Sequence, residues 1–304
     1  MTGVQPTVSV IIPTYNRAEL LIEALNSVLA QTFQDFEILI IDDGSTDDTK
    51  VNLEPYLADS RIRYIYQTNG GPANARNRGI DEAQGEFIAL LDSDDLWLPE
   101  KLEKQVSLLR ERLEIGLVYA DVIWIAKDGS VINPQPVKAP RRFPTYYEDL
   151  MFENVIWGSD SVVIMRSEVL RSIPLYDSEL PTLEDQDLWL RLSVCTEFCF
   201  LNEPLTKLRA HSSNLQHNPD SMALGRLRFL HKLQRDTPGS YRHHLPDVEY
   251  VLYRRIVFGY LLKKQYRAAI RYAIQMIASH PLSVVRITLD GVVRLTRVRS
   301  AHWR

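Results

Sequence analysis

Three acidic residues in a run of four, Asp92-Ser93-Asp94-Asp95, follow directly on the apolar stretch 86–91. A hydrophobic strand that ends in several carboxylates delivers them into one small volume, where they repel one another unless something cationic neutralises them. Hard oxygen ligands of this kind suit Mg2+ or Mn2+, and a site with few protein ligands leaves coordination positions for substrate phosphates. A helix starting near Pro99 would need one capping carboxylate, which leaves the others unexplained. Asp92 and Asp94 are therefore candidate metal ligands, and Ser93 between them joins the candidate binding set.

Two further polar clusters end apolar runs. The first run closes with Pro13-Thr14-Tyr15-Asn16-Arg17 and the second with Asp42-Asp43-Gly44-Ser45. A Tyr15 ring can stack on a nucleobase, while Asn16 and Asp42 can hydrogen-bond its polar edge. Ser45, three residues ahead of Asp48, reads as a capping box. Capping does not explain Asp42 and Asp43; Asp42 is taken as functional and Asp43 is left open. Gly70-Gly71-Pro72 reads as a loop feeding a helix whose start suits an anion, with Arg76 directed at a phosphate or base and Arg78 solvated. Much later, Glu184 and Asp185 open an amphipathic helix. The helix dipole favours acids there and would keep Asp185 ionised, the state a general base requires.

The elements that must position these residues alternate strand and helix. Strands are expected at 8–12, 37–41, 63–67 and 86–91, and helices at 18–30, 46–57, 72–83 and 99–112. Strands so rich in Val, Ile and Leu suit a parallel sheet buried on both faces, in which ligands bind at the carboxyl ends of the strands. Beyond Gly116 a mixed half follows, with a strand at 160–165 and a helix at 184–196. From residue 218 the segments are helical: 220–235, 247–263, 266–279 and 282–298. The reading is an α/β domain over 1–215 and a helical C-terminal region over 216–304.

Composition narrows the function. The chain has 304 residues, 45% hydrophobic and 24% charged, with a net charge of −4, which gives no general basic field for nucleic acid. Cys195 and Cys199 are too few for a disulfide framework and lack zinc-site spacing. The N-terminal residues resemble no secretory leader, and no apolar stretch approaches the ~18 residues of a membrane span; the expectation is a cytoplasmic protein. The first turn lacks the Gly-x-Gly-x-x-Gly of a dinucleotide-binding domain, and neither a P-loop nor the Gly-rich loop of a nucleotidyltransferase is present.

Taken in order, Val10-Ile11-Ile12-Pro13-Thr14-Tyr15-Asn16-Arg17, Ile41-Asp42-Asp43-Gly44-Ser45-Thr46-Asp47, Gly70-Gly71 with Ala75-Arg76-Asn77, Leu91-Asp92-Ser93-Asp94-Asp95, and Glu184-Asp185 resemble the motifs of the family 2 glycosyltransferases. The resemblance covers roughly residues 8–211. It implies a GT-A fold, a Rossmann-like mixed sheet flanked by helices, and an enzyme that moves a sugar from a nucleotide-sugar donor to a saccharide or lipid-linked acceptor. It implies that Pro13, Tyr15, Asn16, Asp42 and Arg76 bind the nucleotide, that Asp92 and Asp94 form an Asp-x-Asp motif with Asp94 the more direct ligand of Mn2+ or Mg2+, and that Asp185 is the base. His211 matches a position where similar enzymes carry a histidine near the diphosphate. UDP is the nucleotide that family frequency favours, inversion is the implied stereochemistry, and bacterial surface polysaccharide or glycolipid synthesis is the setting. The chain departs from the pattern at Ile173-Pro174-Leu175-Tyr176, where a Gly-rich turn is common. A non-catalytic nucleotide-sugar-binding or scaffold protein is the competing class.

Residues 282–304 place Val285, Thr288, Leu289, Val292 and Leu295 on one helical face and Arg286, Arg294 and Arg297 on the other. Two uses are open to such a helix: peripheral attachment to the cytoplasmic face of the inner membrane, or packing on the catalytic domain or a second subunit in a homo-oligomer.

Overall fold

The computed structural model describes residues 5–133, 141–210 and 218–279. The chain forms two compact units, Met1–Glu179 with Leu183–Asn214, and Leu180–Thr182 with Leu215–Arg304.

In the first unit, runs of Val, Ile and Leu form strands enclosed on both faces. β1 (Val8–Thr14) and β2 (Phe36–Asp42) are buried along almost their whole length. β3 (Ile62–Tyr66) pairs parallel with β2, and β4 (Phe87–Leu90) pairs parallel with β1. Parallel neighbours need crossover connections. Helix α1 (Ala18–Leu29) makes the first, burying Leu21, Ala24, Leu25 and Val28, and α3 (Pro72–Glu82) makes another. Gly79 lets α3 lie close on β1, since a Cβ there would stand 2.3 Å from Ile11 Cγ2. With all four strands running one way, their C-terminal ends share one rim.

The second half of the sheet is mixed. Strand order is β3-β2-β1-β4-β8-β6-β9-β5, with β5 at Leu96–Trp97, β6 at Ile115–Ile125, β8 at Val163–Arg166 and β9 at Glu197–Arg209; β7 (Val131–Asn133) pairs with β6. β8 runs antiparallel to both β4 and β6, while β9 runs parallel to β6 and antiparallel to β5. This arrangement brings the end of β9 beside the turn that follows β4.

Several elements differ from their sequence reading for local reasons. The helix expected over 46–57 is α2 (Thr49–Leu53) followed by a 3-10 turn, Glu54–Ala58, because Pro55 supplies no N–H to continue the α-helical ladder. Ser45 does not cap it: Ser45 Oγ accepts from the Asn16 N–H at 2.9 Å, and Asp47 accepts from the Thr49 N–H at 3.1 Å instead. The strand expected at 160–165 begins as a 3-10 turn, Asp160–Val162, after Gly158 and Ser159 at φ +111 and +63 reverse the backbone. α4 is Lys101–Glu111, and α7 is Glu184–Leu192. Short helices α5 (Tyr146–Phe152), with a Thr145–Glu148 capping box, and α6 (Ser167–Arg171) were not evident in the sequence pattern.

The second unit packs α8 (Pro219–Asp236), α9 (Leu245–Leu262) and α10 (Tyr266–Ser279) around Ala223, Ile256, Tyr260 and Ala269, with the Tyr260 and Tyr272 rings stacked at 5.5 Å. No helix among the described residues is long and apolar enough to cross a membrane. The helix read over 282–298 lies outside the described residues.

Candidate active site

The acidic run after β4 is a tight turn, closed by the Asp95 N–H donating to the Asp92 carbonyl at 3.0 Å. Ser161 clamps it: its Oγ accepts from the Asp92 N–H at 3.0 Å and donates to Asp95 Oδ2 at 2.7 Å. Arg209, the last residue of β9, donates its backbone N–H to Asp95 Oδ1 and its Nε to the Asp94 carbonyl, both at 3.0 Å. Burial, reinforced by the neighbouring Asp94 and Asp92 charges, pushes Asp95 well above the usual carboxylate range. Asp95 is thus the turn's internal brace. Ser93 is also enclosed, at 3% exposure.

Asp92 and Asp94 each face an arginine. Asp94 Oδ2 lies 2.6 Å from Arg17 Nη1, and Asp92 Oδ1 lies 2.8 Å from Arg76 Nη2. The sequence reading directs Arg76 at a phosphate or base, but the guanidinium is buried among carboxylates. Its Nη1 stands 3.4 Å from Glu184, and its Nε lies 2.8 Å from Asp160 Oδ2 without the N–H aimed at that oxygen. Once buried, the guanidinium has lost its hydration, and the three carboxylates around it offset that loss. Its plane also lies over the Tyr176 ring, 5.6 Å from the centroid. Arg78, by contrast, is half-exposed and pairs with Glu82 on its own helix.

Asp160 is the residue the sequence reading overlooked. It is fully buried, accepts from the Tyr176 hydroxyl at 2.7 Å, and is pushed up to about 6 by burial, against the lowering pull of Arg76 and with Asp92 adding to the rise. The departure from the family pattern at residues 173–176 is therefore structured: Asn77 exchanges two hydrogen bonds with the Tyr176 backbone, and Arg191 Nη2 donates to the Leu175 carbonyl at 3.0 Å.

Asp185 sits in the first turn of α7. Its Oδ1 accepts from the Gln186 N–H at 2.7 Å and its Oδ2 from Asn154 Nδ2 at 2.9 Å. Burial, then the charges of Glu184 and Asp160, push its carboxyl up to about 8. The expectation that the helix dipole keeps this acid ionised is corrected here. A helix terminus contributes up to about 1 kcal/mol, less than one pKa unit, and does not outweigh desolvation plus two like charges.

The residues on either side of Asn154 in sequence, Glu153 and Val155, line a groove with Arg142, Phe143, Asp149, Phe152 and Trp157. The Phe143 and Phe152 rings stack at 5.1 Å, and Trp157 is 42% exposed. Gly158 seats this loop, since a Cβ there would meet Val122 and Val162 within 2.8 Å.

On the other strand ends, Tyr15 is 49% exposed at the close of β1, and Pro13 is partly exposed. Asn16 adopts φ +51, a conformation asparagine tolerates, and its Oδ1 accepts from the Thr46 N–H at 2.8 Å. Asp42 is 1% exposed, accepting from the Ser45 N–H at 2.8 Å and the Tyr64 hydroxyl at 2.6 Å. Asn16, read with Asp42 as a base-edge contact, thus ties the β1 loop to the β2 loop, while Asp42 braces its own loop and holds the β3 tyrosine Tyr64. The question left open for Asp43 has an answer: it accepts from Gln67 Nε2 and from the Gly70 and Gly71 N–H groups at 2.7–2.9 Å. The anion at the Gly70-Gly71 loop is this internal carboxylate.

His211 lies outside the described residues. Among the described residues, no three His, Cys, Asp or Glu side chains converge as a metal cage. The donor set nevertheless fits a hard divalent cation completed by non-protein oxygens. Asp92, Asp160, Glu184 and Asp185 share the single buried guanidinium of Arg76, and Asp94 stands beside them in sequence with Arg17 as its partner. That excess of negative charge calls for a further cation.

The family profile described as Glycosyl transferase family 2 matches residues 9–173. The chain belongs to glycosyltransferase family 2. It is 34% identical over 221 residues to TuaG of Bacillus subtilis, a glycosyltransferase named for teichuronic acid biosynthesis, covering 72% of this chain and 84% of that one. It is 32% identical over 235 residues to the uncharacterized glycosyltransferase RC0461 of Rickettsia conorii, covering 74% of this chain and 38% of that one. The chain thus spans little more than a third of that relative's length. Among solved structures it resembles S. aureus TarS 1-349 in complex with UDP-GlcNAc (TM-score 0.60, 19% identity, 91% and 92% of the chains) and the mannosyltransferase PcManGT of Pyrobaculum calidifontis in complex with GDP-Man and Mn2+ (TM-score 0.63, 18% identity, 98% and 83%). The fold, a mixed sheet flanked by helices, is that of GT-A glycosyltransferases.

Five residues of this family 2 site escaped the sequence reading. Asp160 and Ser161 were visible only as the start of a strand, Arg17 as the tail of a motif, and Asn154 and Arg209 fell in no expected element. The Gly158-Ser159 pair, a turn signal inside an apolar region, was the one local sign that residues 160 and 161 are turned toward something.

Proposed function

We propose that the protein is an inverting glycosyltransferase that moves a sugar from a nucleotide-sugar donor, a UDP-sugar, to an acceptor hydroxyl in bacterial cell-surface polysaccharide or glycolipid synthesis. The observation that carries this reading is the gathering of Asp92, Asp160, Glu184 and Asp185 around Arg76, with Asp94 on the same turn as Asp92. Catalysis is assigned to residues 1–215, with 216–304 as a helical appendage.

In this reading the exposed Tyr15 ring stacks on the nucleobase, with Pro13 shaping the same wall. Asn16 holds the β1 and β2 loops at the spacing that admits the nucleoside, and Asp42 fixes the shape of the β2 loop. Asp94 and Asp92 hold Mn2+ or Mg2+, which when bound supplies charge to the departing diphosphate. Arg17, displaced from Asp94, is free to turn to a phosphate. Ser161 and Arg209 keep the Asp92-Asp95 turn in one shape throughout, so that the two carboxylates need no reorganisation.

Asp185 takes the acceptor hydroxyl proton as that oxygen attacks the anomeric carbon opposite the leaving diphosphate. One bond forms as the other breaks, and the configuration inverts. Asn154 fixes the carboxyl rotamer, and the groove lined by its sequence neighbours offers aromatic faces of the kind sugar rings stack on, with Arg142 and Glu153 for their hydroxyls. Residues 282–304 add peripheral contact with the cytoplasmic face of the inner membrane.

The test is a donor panel scored for release of nucleoside diphosphate, with and without mixed sugar acceptors, beside Asp94→Ala and Asp185→Asn. Release that needs Mn2+ or Mg2+ and disappears in both variants is expected. Donor binding without turnover across a broad acceptor panel would favour the non-catalytic nucleotide-sugar-binding reading.

A further inference from the structure

Helix α10 carries a stripe that its own unit leaves open. Ala269 and Met276 are buried, and Tyr272 stacks on Tyr260 of α9. Tyr266, Ile270, Ile274 and Ile277, spaced four, four and three apart, are 39–62% exposed. At about 100° per residue these four fall within roughly 80° of arc, one continuous row. Leu261 and Leu262, the last two residues of α9, are exposed as well. Single exposed apolar residues need no explanation, but an ordered row of them marks a surface that meets something.

Along the chain the charge from the middle of α9 through α10 has one sign. From Tyr250 to Ser279 the chain has six basic residues, Arg254, Arg255, Lys263, Lys264, Arg267 and Arg271, and no acidic one, within a protein whose net charge is −4. Lys263, Lys264, Arg267 and Arg271 are all exposed. On the helical wheel Arg267 and Arg271 fall immediately to one side of the isoleucines.

We propose that this face of α10 docks the protein on an anionic lipid surface, with the isoleucines at the acyl boundary and the lysines and arginines among the headgroups. Charge selects this occupant. A second copy of the chain seated on the row would bring like charges together. So would residues 280–304, which carry five arginines against one acidic residue, Asp290. An anionic bilayer supplies both the apolar phase and the opposite charge. The docking surface therefore does not depend on residues 282–304, and it stands apart from the identity of donor and acceptor.

The full chain is tested by flotation with phosphatidylcholine vesicles, with and without a phosphatidylglycerol fraction. Binding is expected only with phosphatidylglycerol, and it weakens in high salt. The double variant Arg267→Gln/Arg271→Gln is expected to bind about 30-fold more weakly at low salt. Ile270→Gln/Ile274→Gln is expected to lose at least about tenfold, with an unchanged circular dichroism melt because both residues are exposed. Three results would overturn the proposal. One is no binding to phosphatidylglycerol vesicles. Another is a loss confined to Arg294→Gln/Arg297→Gln, which would assign binding to the following segment. The third is an oligomer, seen by light scattering, that Ile270→Gln/Ile274→Gln dissociates while vesicle binding stays intact.

Discussion

Replacing Arg76 by methionine keeps the length and packing volume of the side chain while removing the one cation buried among Asp92, Asp160 and Glu184. Breaking a buried ion pair by deleting one partner costs about 3–5 kcal/mol, because the charge left behind stays desolvated. Asp160 bears most of that cost, being 1% exposed and already pushed up to about 6 with the guanidinium in place. Without Arg76 its folded pKa rises further. A carboxyl whose folded pKa exceeds its unfolded value contributes stability that is fully present below the unfolded pKa, roughly 4, and is lost as pH rises through the folded one. The variant's deficit is therefore expected to be large at pH 8 and to shrink at pH 5.5, where Asp160 holds its proton. Urea unfolding followed by tryptophan fluorescence at the two pH values reads this. Arg76→Lys should recover only part of the loss, since one ammonium cannot reach three carboxylates at once. A deficit below about 1 kcal/mol at pH 8, or one of equal size at both pH values, would refute the assignment of Arg76 as the keystone of this cluster.

Asp185, with its carboxyl pushed up to about 8, is expected to give kcat/KM an acidic limb near that pH, and Glu184→Gln should move the limb downward by removing a neighbouring charge. By the same sign rule, Asp185→Asn should unfold at higher urea than the wild type above pH 8 and lose that advantage toward pH 4; equal stability across the range would contradict the raised pKa. Arg17→Gln, which releases Asp94 from its 2.6 Å partner, is expected to bind Mn2+ more tightly than the wild type in calorimetry without donor, and weaker binding would mean that Arg17 supports the cation rather than standing in for it. Trp157→Ala should raise the acceptor KM about tenfold or more, the stacking contribution of one exposed ring and its buried area, while donor hydrolysis without acceptor stays unchanged; a matching fall in donor hydrolysis would place Trp157 on the donor side.

The sequence made the sheet legible where burial is two-sided. Apolar runs such as Val8 to Ile12 have few structural alternatives, and the polar residues that end them must lie on the shared rim of a parallel sheet. Asp92 and Asp94 were placed on that rim because they follow the strand that ends at Leu91, whereas Asp185 was placed only as the opening of an amphipathic helix. What the periodicity did not carry was the partner of each residue. Arg76 reads as directed at a phosphate or base, and only β8 running antiparallel beside β4 reveals that Asp160 lies beside its guanidinium. Ser161 and Arg209 brace Asp95 from 66 and 114 residues away, distances over which no local pattern operates. Asp43, left open in the sequence, is settled only by the fold, where its carboxylate accepts from the amides of Gly70 and Gly71.

These cases share a cause. A carboxylate's sequence position is set by the strand or helix that delivers it, whereas its ionisation is set by what other segments place around it. Asp92, Asp95 and Asp185 are alike as residues, yet a guanidinium at 2.8 Å holds the first, a hydroxyl and an amide hold the second, and the third stands among like charges that push it up to about 8. The environment divides three identical side chains into a candidate metal ligand, a brace and a candidate base. A base that is mostly protonated in the ligand-free protein at neutral pH also sets an order of events. On the proposed reading, a cation held by Asp92 and Asp94 would also draw down the carboxyls that share the Arg76 cluster, and Asp185 is then expected to lose its proton more readily with metal and donor bound than without them.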